Sequence, residues 1–438
     1  MNKKRIVSIS KNFLITGLVV LCIFQVSALW FGDAGIFELL RGAFVGRTTE
    51  STMDDALEKL TTPFRIILNT SNDRYNVIYS DIADSPQRIV GNNAIYAAFS
   101  GGTARVQSYN PMLPATIIYE YAVPMPAEVF DKRFRHTISN RINVVDAIYF
   151  VVDSSEITIV FADRIAEITL HYSFRNNTMY NELMATVSGT GSLYYVRENG
   201  VFIPQWGGGW HMFNTVSVAS SFPGQTLASV GRYVTPFFDR PSAVTSQMTS
   251  GMFIDEEITL YMYSADRVIV RYYIAARVLE YSNHNFIPNE TLQSFTQSFA
   301  AALNVINRDE TLQNEFFLAD YTRNAYGFTF YFDAVVNNFP VTISNDLART
   351  TDMRNFIEVT VSNNRVLYRR YAVEFLVLEQ TMQATIRFDG FERNMLNYTG
   401  QTVNRENQNN LRFGYMVTDE QYMVLHWSIG FFDTRASR

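Results

Sequence analysis

The chain begins with a basic, polar tail and then runs from Phe13 to Phe31 without a single charged residue. Wound as a helix at about 1.5 Å per residue, that run is roughly 28 Å long, enough to cross the hydrocarbon of a bilayer. Beyond it the pattern changes. Short apolar or alternating runs are separated by Gly, Pro, Asn and Asp, and between them lie segments whose apolar residues recur at helical spacing. Ser51-x-x-Asp54 reads as a cap for a helix over MDDALEKL that Pro63 ends. Phe64–Asn69 and Tyr75–Ser80 read as a hairpin, and Ser85-Pro86 opens a helix that stops at Gly101-Gly102. Ala115–Ala122 reads as a strand, with Pro126 as the first residue of a helix reaching about His136.

Two stretches share one layout. AIYFVVDSSEITIVFADRIAEITLHYS (147–173) and ITLYMYSADRVIVRYYIAARVLEYS (258–282) each predict three antiparallel strands in a meander. Each follows a strand-like run and a Pro-started helical segment, the second within GRYVTPFFDRPSAVTSQM. Such order points to two related α+β units rather than a solenoid. Glu198-Asn199-Gly200 marks a tight turn between them. A further unit opens with Asn289 capping a helix Glu290–Ile306, followed by strands near Phe328–Phe332, Val341–Ser344, Ile357–Ser362, Val366–Tyr371 and Ala384–Phe388, and a closing strand in MVLHWSIGFF. The predicted organisation is a cytoplasmic tail (1–11), a transmembrane helix (12–31) and an α+β ectodomain of about three units (32–175, 176–285 and 286–438). Each unit is expected to be an antiparallel meander sheet with flanking helices.

Charge orients the apolar run. Lys3, Lys4, Arg5 and Lys11 precede it and Asp33 and Glu38 follow, so the positive-inside rule leaves the N-terminus in the cytoplasm of a single-pass cell-membrane protein. The rival reading is a signal peptide cleaved after Ala28; the apolar run continues through Leu29-Trp30-Phe31, which favours a retained anchor. Cys22 is the only cysteine and lies inside this run, so the remainder has no disulfide and no thiol nucleophile. Setting aside the four basic tail residues, 32 of the 36 lysines and arginines remain against 42 acidic residues, a net charge of −10. That balance argues against nucleic acid as a partner.

Little in the sequence promises catalysis. The five histidines stand singly, without metal-ligand spacing, and no G-x-S-x-G, S-x-x-K, H-E-x-x-H or P-loop pattern occurs. No catalytic, cofactor or metal residue is therefore assigned, and a non-enzyme is expected. Trp206 and Trp210 flank three glycines and could stack on a sugar ring, although one loop makes no pocket. The predicted anchor carries a stripe of Gly17, Leu21, Phe24 and Ala28 with Gln25 at its flank. Small residues permit close helix approach, and a glutamine in lipid seeks a partner across a helix interface.

Several segments together resemble the YycH family: the basic tail, the anchor ending in Leu29-Trp30-Phe31-Gly32-Asp33, TTPFRIILN at 61–69 and IIYEYAVPMPAEVFD at 117–131. The last unit, with GFTFYFDAVVNNFPVTIS, IEVTVSNNRVLYRRYAVEF and VLHWSI, resembles the carboxyl-terminal domain that this family shares with its companion, YycI. The resemblance implies a membrane-anchored accessory of a cell-wall sensor histidine kinase (WalK, also called YycG), acting with a YycI-like partner through transmembrane-helix and ectodomain contacts. Gly17, Leu21, Gln25 and Ala28 would then line the helix contact. Two other classes remain open at this point: an anchored cell-wall carbohydrate-binding module using Trp206 and Trp210, and an extracytoplasmic assembly or chaperone factor.

Overall fold

The computed structural model describes residues 52–429 apart from 72–73, 111–112, 154–155, 188–192, 199–200, 207–211, 223–226, 240–243, 251–256, 264–266, 285–293, 363–364, 384–410 and 419–421. The expected tail and anchor lie outside the described residues. Among the described residues no helix is long and apolar enough to cross a membrane. The body is mixed α+β, dominated by antiparallel strand pairs in two sheets.

The first sheet has nine strands in the order β3-β7-β6-β5-β4-β1-β2-β8-β9. These are β1 (Arg65–Ser71), β2 (Arg74–Ile78), β3 (Thr103–Ser108), β4 (Ile117–Pro126), β5 (Val144–Asp153), β6 (Glu156–Asp163), β7 (Ile168–Arg175), β8 (Leu193–Glu198) and β9 (Val201–Trp206). Four helices accompany it: α1 (Met53–Thr61), α2 (Pro86–Gly101), α3 (Ala127–Phe134) and α4 (Asn177–Val187). Helix α1 is capped one residue later than expected. The Thr52 hydroxyl accepts from the Asp55 N–H while the Asp55 carboxylate accepts from the Thr52 N–H, a reciprocal capping box. Ser85 caps α2 and Pro86 fills its first turn, as the sequence predicts. Within α2, Gly91 lies so close to the Tyr119 hydroxyl that a Cβ there would collide with it. Both faces of this sheet's central strands are buried, while the edge strand β3 is largely exposed. Ile66, Ile148 and Phe161 face one large hydrophobic cluster, whereas Ile67, Tyr149 and Val160 belong to a second. That is why β1 and β5 read as continuous apolar runs instead of alternating ones.

The second sheet has thirteen strands, with β15 attached to its side by pairing with β16. Its members are β10 (Met212–Ser220), β11 (Thr245–Ser250), β12 (Glu257–Tyr263), β13 (Val268–Tyr273), β14 (Val278–Asn283), β15 (Glu315–Asn324), β16 (Gly327–Val336), β17 (Phe339–Ile343), β18 (Ile357–Ser362), β19 (Arg365–Tyr371), β20 (Val373–Gln383), β21 (Leu411–Val417) and β22 (Tyr422–Ile429). Three helices belong to this part: α5 (Leu227–Val234), α6 (Phe295–Ile306) and α7 (Asn345–Thr351). Strands from the stretches assigned to the second and third units, β14 and β19, are direct neighbours here, and β8 and β9 belong to the first sheet.

Both predicted meanders exist, as β5-β6-β7 and β12-β13-β14. What precedes the second departs from expectation. The strand-like run containing GRYV is helix α5, because Val230 and Val234, four residues apart, bury on one face. The expected Pro-started helix is instead strand β11 where it is described, paired along its length with β12. Helix α6 starts at a Ser294–Gln297 capping box, and the proposed cap at Asn289 lies outside the described residues.

The hairpin turn Asn337-Asn338 joins β16 to β17 with both residues left-handed, at φ 50° and 60°. Asn338 then reaches the first sheet. Its Oδ1 accepts the N–H of Tyr79 at 2.8 Å and of Ser80 at 3.2 Å, and its Nδ2 donates to the Val77 carbonyl at 3.4 Å. One side-chain amide thus completes a backbone ladder that β2 leaves open. Beside it Glu315 accepts the Asp81 N–H with both oxygens, and Tyr321 donates to the Pro124 carbonyl at 3.2 Å. Asn338→Ala removes these bonds and places a Cβ residue without a polar partner at positive φ, so it is expected to cost about 2–3 kcal/mol. Asn338→Gly keeps the backbone freedom and loses only the bonds, about 1–2 kcal/mol. Denaturant unfolding reads both; equal stability of all three proteins would show that the joint depends on something else.

Candidate functional site

The most chemically dense place among the described residues lies on the buried outer face of the first sheet. Register sets it up. Arg65 on β1 stands directly opposite Glu120 on β4, and the row continues through Ala147 on β5 to Ala162 on β6. Two alanines in that row leave a trough. Arg164, one residue beyond β6, extends back across it to the same glutamate. Glu120 Oε2 accepts from Arg65 Nε at 2.7 Å and Nη2 at 2.6 Å, while Oε1 accepts from Arg164 Nη2 at 2.7 Å. Phenols close the cluster: Arg65 Nη1 donates to the Tyr79 hydroxyl and Arg164 Nη2 to the Tyr149 hydroxyl, both at 3.0 Å, and Tyr149 shares a hydrogen bond with Tyr109 at 3.2 Å.

Electrostatics fix what this cluster can do. Burial pushes the Glu120 carboxyl up, but the adjacent Arg65 and Arg164 guanidiniums outweigh it and hold the group at about 2. Burial raises the Tyr109 phenol well above its usual range. A carboxylate held this low, near a Tyr109 phenol pushed up, is poorly matched for proton exchange near neutrality. The arrangement stores charge in a fixed geometry and pins β1, β4 and β6 together.

A second ionic group lies on β13, β14, β18 and β19. Arg271 donates to Glu280 at 2.6 Å, and Arg369 lies 3.6–3.9 Å from Asp352, Glu358 and Glu280. One residue along, Arg370 points to the opposite face, where it is fully buried with its Nε 2.9 Å from Asp309; Tyr368 donates to the same carboxylate at 2.7 Å. The histidines whose side chains are described stay apart: His136 stacks on Phe99 and bonds Tyr172 at 3.0 Å, His171 bonds Thr169 and His284 bonds Ser282, each at 2.9 Å. Among the described residues no three His, Cys, Asp or Glu side chains gather as metal ligands.

Of the residues singled out from the sequence, Trp206 is the last residue of β9, the edge strand of the first sheet, opposite Leu193. Trp210, Gly17, Leu21, Gln25 and Ala28 lie outside the described residues. The Arg65–Glu120–Arg164 cluster was not anticipated. Its sequence signal was faint: charged residues inside the otherwise apolar strands RIILN and IIYEY.

No protein-family model matches the chain, and no curated protein matches it. Among solved structures, the crystal structure of YycH from Bacillus subtilis is similar, with a TM-score of 0.50 at 9% identity over 85% of this chain and 95% of that one. An uncharacterized protein from Eubacterium rectale aligns at a TM-score of 0.31 and 10% identity, over 56% of this chain and 84% of that one, too low to build on. The chain therefore has a YycH-like fold.

Glu120→Gln leaves two guanidiniums around a neutral amide and is expected to cost about 3 kcal/mol at pH 6. Because the folded carboxyl titrates near 2 and its ordinary value is 4.5, the stabilisation is complete above pH 4.5 and drains away as the pH falls towards 2. The stability gap between wild type and Glu120→Gln should close over that window in denaturant unfolding. A gap that stays constant from pH 6 to pH 2 would contradict the assignment.

Proposed function

We propose that the chain is a non-catalytic, membrane-anchored accessory that regulates a sensor histidine kinase of a cell-wall two-component system. The observation that carries this reading is the YycH-like fold, which extends over 85% of the chain and nearly all of the neighbour. In this reading residues 12–31 form the anchor, the N-terminus is cytoplasmic, and the α+β body works outside the membrane beside a YycI-like companion. Control then requires only a biased equilibrium. If the accessory helix packs better against one signalling state of a WalK-like kinase, it shifts the population by its differential affinity.

Gly17, Leu21, Gln25 and Ala28 are the residues assigned to that helix contact. Gln25→Leu removes a polar interhelical bond worth about 1 kcal/mol, so the kinase recovered with the full chain from membranes should fall roughly fivefold. Signalling output should change with it, while the amount of membrane-bound accessory stays the same. Unchanged recovery and unchanged output would remove Gln25 from the contact.

A further inference from the structure

A cavity of about 80 Å³, partly open to solvent, lies where the first sheet meets the β15–β16 hairpin. Leu60, Pro63, Phe64, Phe317 and Val335 supply apolar walls, and Lys59 and Glu315 bring charge to the lining. Lys59 occupies the last turn of α1, with its ammonium 4.4 Å from the centroid of the Phe316 ring. Among the described residues it makes no hydrogen bond and no ion pair within 4 Å.

Neither neighbouring charged group hydrogen-bonds the Lys59 ammonium. Both Glu315 oxygens accept the Asp81 N–H, so that carboxylate acts on Lys59 only through space. Arg88, which opposes the charge on Lys59, is held by Glu58 at 3.2 Å and by the Ala83 carbonyl. Burial pushes the Lys59 ammonium below the ordinary lysine range. A half-buried ammonium with no hydrogen-bond partner in the protein is only partly hydrated, and a ligand carboxylate would supply a charge-assisted hydrogen bond.

Volume limits the rest of the ligand. A cavity of about 150 Å³ accommodates benzene, so this one takes roughly three or four carbon atoms, with a polar end left at the open side. We propose that the cavity is a binding site for a small branched carboxylate, whose apolar end lies between Leu60 and Phe317 and whose carboxylate sits on Lys59. The inference does not depend on the regulator reading, since it concerns only this joint and its lining.

Isovalerate is a probe of the right size and charge, and 3-methylbutanol is its uncharged counterpart. Calorimetric titration of the full chain should give one saturable site for isovalerate and at least tenfold weaker binding of the alcohol. Lys59→Met should weaken isovalerate by a similar factor while the alcohol is little changed. Ala122→Phe, which fills the lining from β4, should abolish both, with far-ultraviolet circular dichroism reporting that each variant is folded. Absence of saturable isovalerate binding to the wild type, equal affinity for acid and alcohol, or an unweakened Lys59→Met would each overturn the proposal.

Discussion

The body depends on a sheet whose central strands are buried on both sides. A strand with two buried faces must be apolar almost throughout, and any charge it carries must find its partner inside the fold. The first sheet meets that constraint with one shared carboxylate. Glu120 takes Arg65 from the facing strand and Arg164 from beyond β6, and Ala147 and Ala162 give the second guanidinium room to arrive. The cover over this face comes partly from the second sheet, because Phe317 and Val335 join the same hydrophobic cluster as Phe64 and Tyr79. Burial of one sheet is therefore inseparable from docking of the other.

That docking is specific as well as apolar. Asn338 can act as a surrogate strand only because the two-residue turn of β16–β17 places it at positive φ, where asparagine is well tolerated. Glu315 and Tyr321 add polar bonds to backbone at either side of the joint. The small cavity lined by Lys59 lies beside these contacts, so its occupancy would bear on the packing of α1 against β15.

Legibility followed local pattern. Helix α2 was readable because Ser85, Pro86 and the terminal glycines are punctuation that acts within a few residues. Strands β18 and β19 were readable because their apolar residues alternate on a sheet with one buried face. Strand β15 escaped notice because a bulge between Leu318 and Asp320 breaks its alternation. Helix α4 buries only Leu183 and Val187, too narrow a stripe to stand out. Strand β11 and helix α5 exchanged places with the expected elements because tertiary pairing with β12 and burial of Val230 and Val234 overrode local propensity. The arginine–glutamate cluster was illegible for a different reason: its members are 55 and 44 residues apart in the chain, and only the register brings them into one row.

The functional account joins this α+β body to an apolar run that sequence alone marks as an anchor. Its central claim is that the run stays attached and places the protein beside its partners in the membrane. Intact-mass and N-terminal analysis of the mature protein from fractionated cells tests that directly. The account predicts a chain in the membrane fraction that retains residues 13–31. A mature protein released into the medium, with Leu29 as its first residue, would contradict it.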